Sequence, residues 1–366
     1  MGFDEFLGNE RIVGALRGML CRGRVPSAIL FSGPRRIGKF TLARMFAQAA
    51  CCERSKDDFC GECDACRKIS RLADPRPLIE AGLLERGESA DAAMVERMPL
   101  ILETHPDVWL LVPDPVRRLA PVARPVIRVG QLRSVQRAAY FQPQGRRRIF
   151  ILDGADTMRW TDADLFLKIL EEPPETATLI LLAANPDSLL PTIRSRCLQF
   201  HFAPVAAATI DRFLSARTQI KPVDRKLAAH LASGSPGAAL SLDLQESARL
   251  RAAVLRLLEQ SLAAQKYSEI FAATAQLSKR EKESFENILE LFYSFVTDLL
   301  EISQGPKNSL LRNPDFRQEL ERVASGVNFD WVLRATQGLD KLESRLRRNI
   351  GRQLGLDAYV TSLGDR

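Results

Sequence analysis

No run of about 18 apolar residues occurs in the 366-residue chain, which excludes a bilayer-spanning helix. The opening MGFDEFLGNERIVGAL lacks a basic head followed by an apolar stretch, so no secretory leader is expected. Gly2 is not followed by the Ser or Thr that myristoylation favours at the sixth position. Internal repeats and low-complexity tracts are absent. Charge of one sign is barely in excess: 52 Lys and Arg against 45 Asp and Glu leave +7. That balance permits contact with nucleic acid without requiring it. With 46% hydrophobic and 27% charged residues, the expectation is a globular cytoplasmic chain of two or three domains that does not engage a membrane.

What is present is concentrated. Five of the seven cysteines fall between positions 51 and 66. Without an export signal, such clustering points to metal ligands before disulfides. Cys51-x8-Cys60-x2-Cys63-x2-Cys66 supplies four thiolates, and Gly61 permits the tight turn between two of them. A closed four-sulfur set is structural, and zinc is the metal it suits. Cys52 can replace Cys51 as first ligand. An iron–sulfur cluster is the alternative, but its run needs a fourth Cys and then Pro, where Arg67-Lys68-Ile69-Ser70 stand here. Cys21 and Cys197 lie on apolar patterns and read as small core residues.

Along the chain, residues 9–22 carry a helical apolar pattern through Ile12, Val13, Leu16, Met19 and Leu20. SAILFSG reads as a buried strand, and TLARMFAQAACC as a helix. Residues 71–104 are poorly periodic and read as an insertion of one or two short helices. DVWLLVP, RRRIFILDGAD and TLILLAANP are further strand candidates. VIRVGQLRSVQRAAYF reads as a strand end entering a helix, ADLFLKILEEPP as a helix stopped by two prolines, and TIRSRCLQFHF as a turn and a last strand. Strands alternating with helices, apolar enough for burial on both faces, predict a parallel α/β sheet. From about residue 205 the texture becomes helical throughout, with breaks near GSPGAALSL, ISQGPKNS and LRNPD.

Gly33-Pro-Arg-Arg-Ile-Gly38-Lys39 matches the phosphate loop G-x-x-x-x-G-K, between a strand and a helix as that loop requires. Its glycines turn backbone N–H groups toward phosphate oxygens, and its lysine reaches the outer phosphates. The next residue should be Ser or Thr, to hold magnesium, but it is Phe40. Thr41 comes one position later, about 100° further round the helix. Asp153 closes its strand where a metal-steadying aspartate belongs, yet Gly154 stands where a hydrolytic Glu would follow, and Asp156 is expected to face away. Losing a base costs typically 10²–10⁴-fold, so this loop is expected not to hydrolyse ATP. Lys39 and both glycines leave nucleotide binding open. Arg196, in Thr192-Ile-Arg-Ser-Arg-Cys197, stands just before the last strand; by spacing alone such an arginine is most often solvated or salt-bridged.

LFSGPRRIGKFTLAR, the cysteine spacing, HPDVWLL, VIRVGQLR, IFILDGAD, LFLKILEEPPETATLILLAANP, SRCLQF and GSPGAAL together resemble the clamp-loader AAA+ family, densely over residues 1–242. A weaker echo, LRRNIGRQLGLDAYVTSL, lies in the tail. The resemblance implies an AAA+ parallel-sheet domain at 1–204, with a zinc module at 51–66 and the insertion at 71–104. It implies a small helical lid at 205–243 and an all-α collar for oligomerisation at 244–366. The family's motor subunits, gamma and tau, keep a working loop, a DE acidic pair and a sensor-2 arginine. Phe40, Gly154 and Gly237 point instead to the non-hydrolysing stator. The nucleotide site would then be degenerate, built from Gly33, Gly38, Lys39, Thr41, Asp153 and the sensor-1 residue Asn185. Arg196 would be an arginine finger reaching in trans into a motor subunit's ATP site.

The implied partners are the gamma and tau motors, a delta subunit, the sliding clamp and primed DNA, in a hetero-oligomer that serves DNA replication. The implied cofactor is structural zinc. Two other readings make different predictions. An active motor of gamma/tau type would turn over ATP alone. A free zinc-dependent nucleic-acid binder would use Arg146, Arg147 and Arg148.

Overall fold

The computed structural model describes residues 2–87, 91–114, 125–262, 267–278, 285–305, 311–346 and 351–364. The chain separates into two compact units. One joins Met1–Ile220 to Ala232–Leu240, and the other joins Lys221–Leu231 to Ser241–Arg366.

The first unit begins with α1 (Glu10–Cys21), β1 (Ala28–Ser32), α2 (Lys39–Cys51), α3 (Asp64–Ser70), α4 (Arg76–Arg86) and α5 (Ala92–Arg97). It continues through β2 (Ile101–His105), β3 (Val108–Leu111), α6 (Val129–Ala139), β4 (Arg148–Asp153), α7 (Trp160–Glu171), β5 (Ala177–Ala183), α8 (Pro191–Arg194), β6 (Leu198–His201) and α9 (Ala207–Ser215). The strands form one sheet in the order β2-β3-β4-β5-β1-β6. All pair in parallel except β2, which runs antiparallel to β3 at one edge.

Successive residues of a strand point to opposite faces, and here each face has its own core. Ile29, Phe31, Ile149, Ile151, Ile180 and Leu182 pack on the side of α1, α2 and the cysteine segment. Leu30, Phe150, Leu152, Leu179, Leu181 and Ala183 pack on the side of α6 and α7. Near-continuous apolar strands are what burial on both faces demands.

The sheet differs from the expectation at β2. Residues 71–104 hold the two short helices α4 and α5, and then an edge strand that their weak periodicity concealed. The insertion is fastened by buried polar bonds. Arg86 donates to Met98 O at 2.6 Å and to Asp114 Oδ1 at 2.9 Å. Glu96 accepts from the Gly130 N–H at the start of α6 (2.7 Å), and the Gln131 amide donates to the carbonyls of Leu100 and Val112. Those bonds satisfy carbonyls and an amide that would otherwise be buried unpaired.

The remaining helices are α10 (Pro222–Leu231), α11 (Pro236–Ser241), α12 (Leu244–Leu262), α13 (Tyr267–Ser278), α14 (Phe285–Gln304), α15 (Arg317–Ala324), α16 (Phe329–Leu346) and α17 (Arg352–Gly364). In the second unit, Leu257, Phe292, Phe295, Leu299, Ala335, Leu339, Leu356 and Val360 form an apolar core. Asp298 is buried and accepts from the N–H groups of Arg312 and Asn313 and from the Asn313 amide. Arg251 pairs twice with Asp315 and lies over the Phe316 ring. These contacts set the LRNPD break between α14 and α15. Part of the ISQGPKNS break (306–310) and of the tail echo (347–350) lies outside the described residues.

Candidate functional site

The turn between β1 and α2 has the backbone of a phosphate loop, but its polar groups are turned on the chain itself. Gly33 has φ +140°, and a Cβ there would come within 2.7 Å of Phe202 O, so only glycine fits beside β6. A Cβ at Gly38 would meet the Phe6 ring at 3.0 Å. The Lys39 ammonium, buried, donates to Gly33 O at 2.6 Å and Pro34 O at 2.7 Å. Burial lowers its pKa, against the attraction of Asp153 and Asp156. Phe40 packs half-buried against the core under α2, and Thr41 is exposed. No hydroxyl therefore follows the lysine to hold magnesium.

Two further segments close on the loop. Ser235 Oγ donates to Arg36 O at 2.5 Å, and a Cβ at Gly237 would lie 3.1 Å from that same carbonyl. At the end of β4, burial raises the Asp153 pKa, opposed by Lys39. Gly154 has φ +79°, and a Cβ there would meet Pro113 Cγ at 2.9 Å. A glutamate at this position would need both a left-handed backbone and space that Pro113 fills. Asp156, expected to face away, lies near enough to act on both Lys39 and Asp153, and its Oδ2 accepts from the N–H groups of Ala184 and Asn185. The Asn185 side chain in turn accepts from Asp187 N at 3.0 Å, holding its own turn.

Arg196 lies at the far end of β1's other neighbour, where α8 gives way to β6. Its Nη1 donates to Thr192 O at 3.0 Å and its Nη2 to Glu171 Oε1 at 2.8 Å. Its side chain retains 36% exposure. Ile193 and Cys197 on either side are buried, and burial pushes the Cys197 thiol up to about 12.

Four sulfurs come together in the cysteine segment: Cys52, Cys60, Cys63 and Cys66, all within 4.8 Å of one another. Four thiolates about 2.3 Å from a tetrahedral ion stand about 3.8 Å apart, so the set fits a closed metal site. Backbone N–H groups point at three of the sulfurs. Ser55 N donates to Cys52 Sγ, Glu62 N and Cys63 N to Cys60 Sγ, and Cys66 N to Cys63 Sγ. The N–H of Cys63, then that of Glu62, draw the Cys60 pKa down to about 6. Burial drives that of Cys66 up.

Here the structure corrects the spacing. Cys51, the last residue of α2, is outside the set; its thiol donates to Arg147 O at 3.7 Å, and burial pushes it to about 12. Cys52 follows in extended conformation (ψ 128°), which swings its side chain to the other three. Cys21 is exposed rather than in the core.

The arginine triplet is bonded to the chain itself, with Arg146 exposed, Arg147 half-buried and Arg148 buried. Arg146 Nη2 donates to the carbonyls of Ala49, Cys52 and Ser55, closing the end of α2 and gripping the start of the cysteine loop. Arg147 bonds Ala177 O and Thr178 Oγ1. Arg148, buried, bonds Ala138 O and Asp107. These bonds occupy guanidinium donors that a nucleic-acid surface would use. Arg146, Ser235 and Glu171 are contacts that no spacing in the sequence announces.

A six-stranded, mainly parallel sheet with this loop at β1, an acidic strand end at β4 and a polar tip at β5 defines an AAA+-type nucleotide-loop domain, followed by a helical region. The chain belongs to the DNA polymerase III delta-subunit family: the family model described as "DNA polymerase III, delta subunit" matches residues 8–206, and its C-terminal counterpart matches 245–363. Among curated relatives, DNA polymerase III subunit delta' of Pseudomonas aeruginosa is 32% identical over 257 residues, 68% of this chain and 66% of that protein. Subunit tau of Escherichia coli is 30% identical over 248 residues, 66% of this chain. The chain spans about a third of that tau subunit, 32% of its length. A gamma subunit-related protein of Thermotoga maritima superposes over 97% of this chain at 17% identity and a TM-score of 0.39. Among the described residues, no helix is long and apolar enough to cross a membrane.

Proposed function

We propose that this chain is the non-hydrolysing, delta'-type stator of a bacterial DNA polymerase III clamp loader, supporting ATP-driven loading of the sliding clamp onto primed DNA. The observation that carries the reading is Gly154. A hydrolytic glutamate is not merely missing there; the backbone and Pro113 leave it no place. Lys39 bound to its own loop and Phe40 in the metal-ligand position agree with it. Arg196 would serve as an arginine finger for a neighbouring gamma or tau motor, where such a group is worth 10³–10⁵ in turnover in related phosphoryl-transfer systems. The physical need is a rigid guanidinium against charge developing on the transferred phosphoryl group.

On this reading the complex includes motor subunits, a delta subunit and the clamp, and it works in the cytoplasm. Residues 205–243 would act as a lid and 244–366 as the collar that assembles with the other subunits. Cys52, Cys60, Cys63 and Cys66 would hold a structural zinc, which would tie the loop between α2 and α3 to the core it packs on.

The test is reconstitution with cognate motor, delta and clamp. Arg196→Ala should lower DNA-stimulated ATP turnover while assembly, followed by gel filtration, stays intact. The isolated chain should release no phosphate from ATP. Steady turnover by the isolated chain, abolished by Lys39→Ala, would establish the motor reading instead.

A further inference from the structure

We infer that Glu171 is a positioning residue for Arg196: it holds the guanidinium at the angle from which it serves the neighbouring subunit's site. The inference rests on the finger reading above and deepens it.

Glu171 is the last residue of α7, and its position is electrostatically adverse. The last turn of a helix carries negative potential and favours cations over carboxylates. A carboxylate held there needs a compensating partner, and Arg196 Nη2 supplies it at 2.8 Å. The backbone that carries it is firmly placed, while the carboxylate itself keeps 51% exposure. Ile169 and Leu170 are buried below it, Glu172 N closes the final turn on Lys168 O, and Pro173 and Pro174 prevent the helix from running on. The arginine is as firmly placed, between buried Ile193 and Cys197 and with Nη1 on Thr192 O.

Two different nitrogens of one planar fork are thus bonded at once, one to a backbone carbonyl and one to a carboxylate at a helix end. That fixes the plane of the guanidinium as well as its reach. Arg has five N–H donors; those two bonds leave three for an incoming phosphoryl oxygen. Pre-set geometry of this kind raises a rate by sparing the side chain its reorientation at the moment of reaction.

The experiment uses the reconstituted loader with Glu171→Ala, Glu171→Gln, Arg196→Ala and the double variant. Glu171→Ala should lower kcat by roughly two- to fivefold, the range of an exposed ion pair, with KM for ATP and complex assembly unchanged. Glu171→Gln keeps an acceptor oxygen and should retain most of the parental rate. On the Arg196→Ala background, Glu171→Ala should cost nothing more, since the two act as one unit. A parental or faster rate for Glu171→Ala would overturn the inference, the faster rate marking Glu171 as a latch. An additive loss in the double variant would overturn it too. If Arg196→Ala itself were silent, the finger reading would fall and this inference with it. A slow Arg196→Ala beside a parental Glu171→Ala would sink the inference alone.

Discussion

Gly154→Ala isolates the backbone argument from any chemistry. At φ +79° an L-residue pays about 1–2 kcal/mol for the left-handed conformation. The new methyl lies 2.9 Å from Pro113 Cγ, a ring that cannot rotate aside, and overpacking of that kind costs about 1–3 kcal/mol. Against this, the alanine restricts the unfolded chain and returns about 0.4–1 kcal/mol. The net is a loss of roughly 1–5 kcal/mol, up to a few thousandfold in the folding equilibrium. Urea denaturation should show the midpoint falling with little change in slope. Gly154→Glu should be no better tolerated and should yield no phosphate release from the isolated chain. A Gly154→Ala protein as stable as the parent to within about 0.5 kcal/mol would refute the steric reasoning. A Gly154→Glu protein that hydrolysed ATP would refute the functional use made of it.

Arg86→Ala strands the fully buried Asp114 carboxylate and should cost about 3–5 kcal/mol in the same assay, whereas replacing both by apolar residues of similar volume should recover much of the loss. Elemental analysis should find about one zinc per chain, kept by Cys51→Ser and lost by Cys52→Ser. After chelation, the Cys60 thiol, lowered to about 6, should be alkylated first among the four clustered cysteines. Its rate should rise with pH through that value and level off above it, because the thiolate is the nucleophile. Cys51 and Cys197, each raised to about 12 by burial, should stay unmodified at neutral pH in the folded protein.

The strands of the sheet were legible wherever an apolar run ended in a turn residue or an acid, as in AILFS, RIFILD and ATLILLA. Burial on both faces writes itself into composition. The edge strand β2 was not legible. With Glu103 exposed beside Leu102, it has the mixed texture of a one-sided strand, and the irregular register at Glu103/His105 blurs its alternation further. The cysteine count was readable, but the choice between adjacent Cys51 and Cys52 was not. It turns on one ψ value where α2 stops, and spacing carries no dihedral. Three consecutive arginines read in sequence as material for a nucleic-acid surface. Their real partners are carbonyls at helix and strand ends far off in sequence, which only the fold brings near. Phe40 and Gly154 could be read as departures from a motif, but the reason Gly154 is a glycine became visible only with Pro113 beside it.

The nine residues Ala232–Leu240 fold with the sheet, although the chain on either side of them folds with the helices. Neither unit is therefore a continuous stretch of sequence, and a single stop codon that keeps the whole first unit must carry Lys221–Leu231 of the second along with it. A fragment ending at residue 204 or 220 would keep all six strands yet lose the hydroxyl of Ser235 from the Arg36 carbonyl. Its loop would be unbridled by subcloning alone. Nucleotide affinity measured on such a truncation would describe the truncation, not the intact polypeptide.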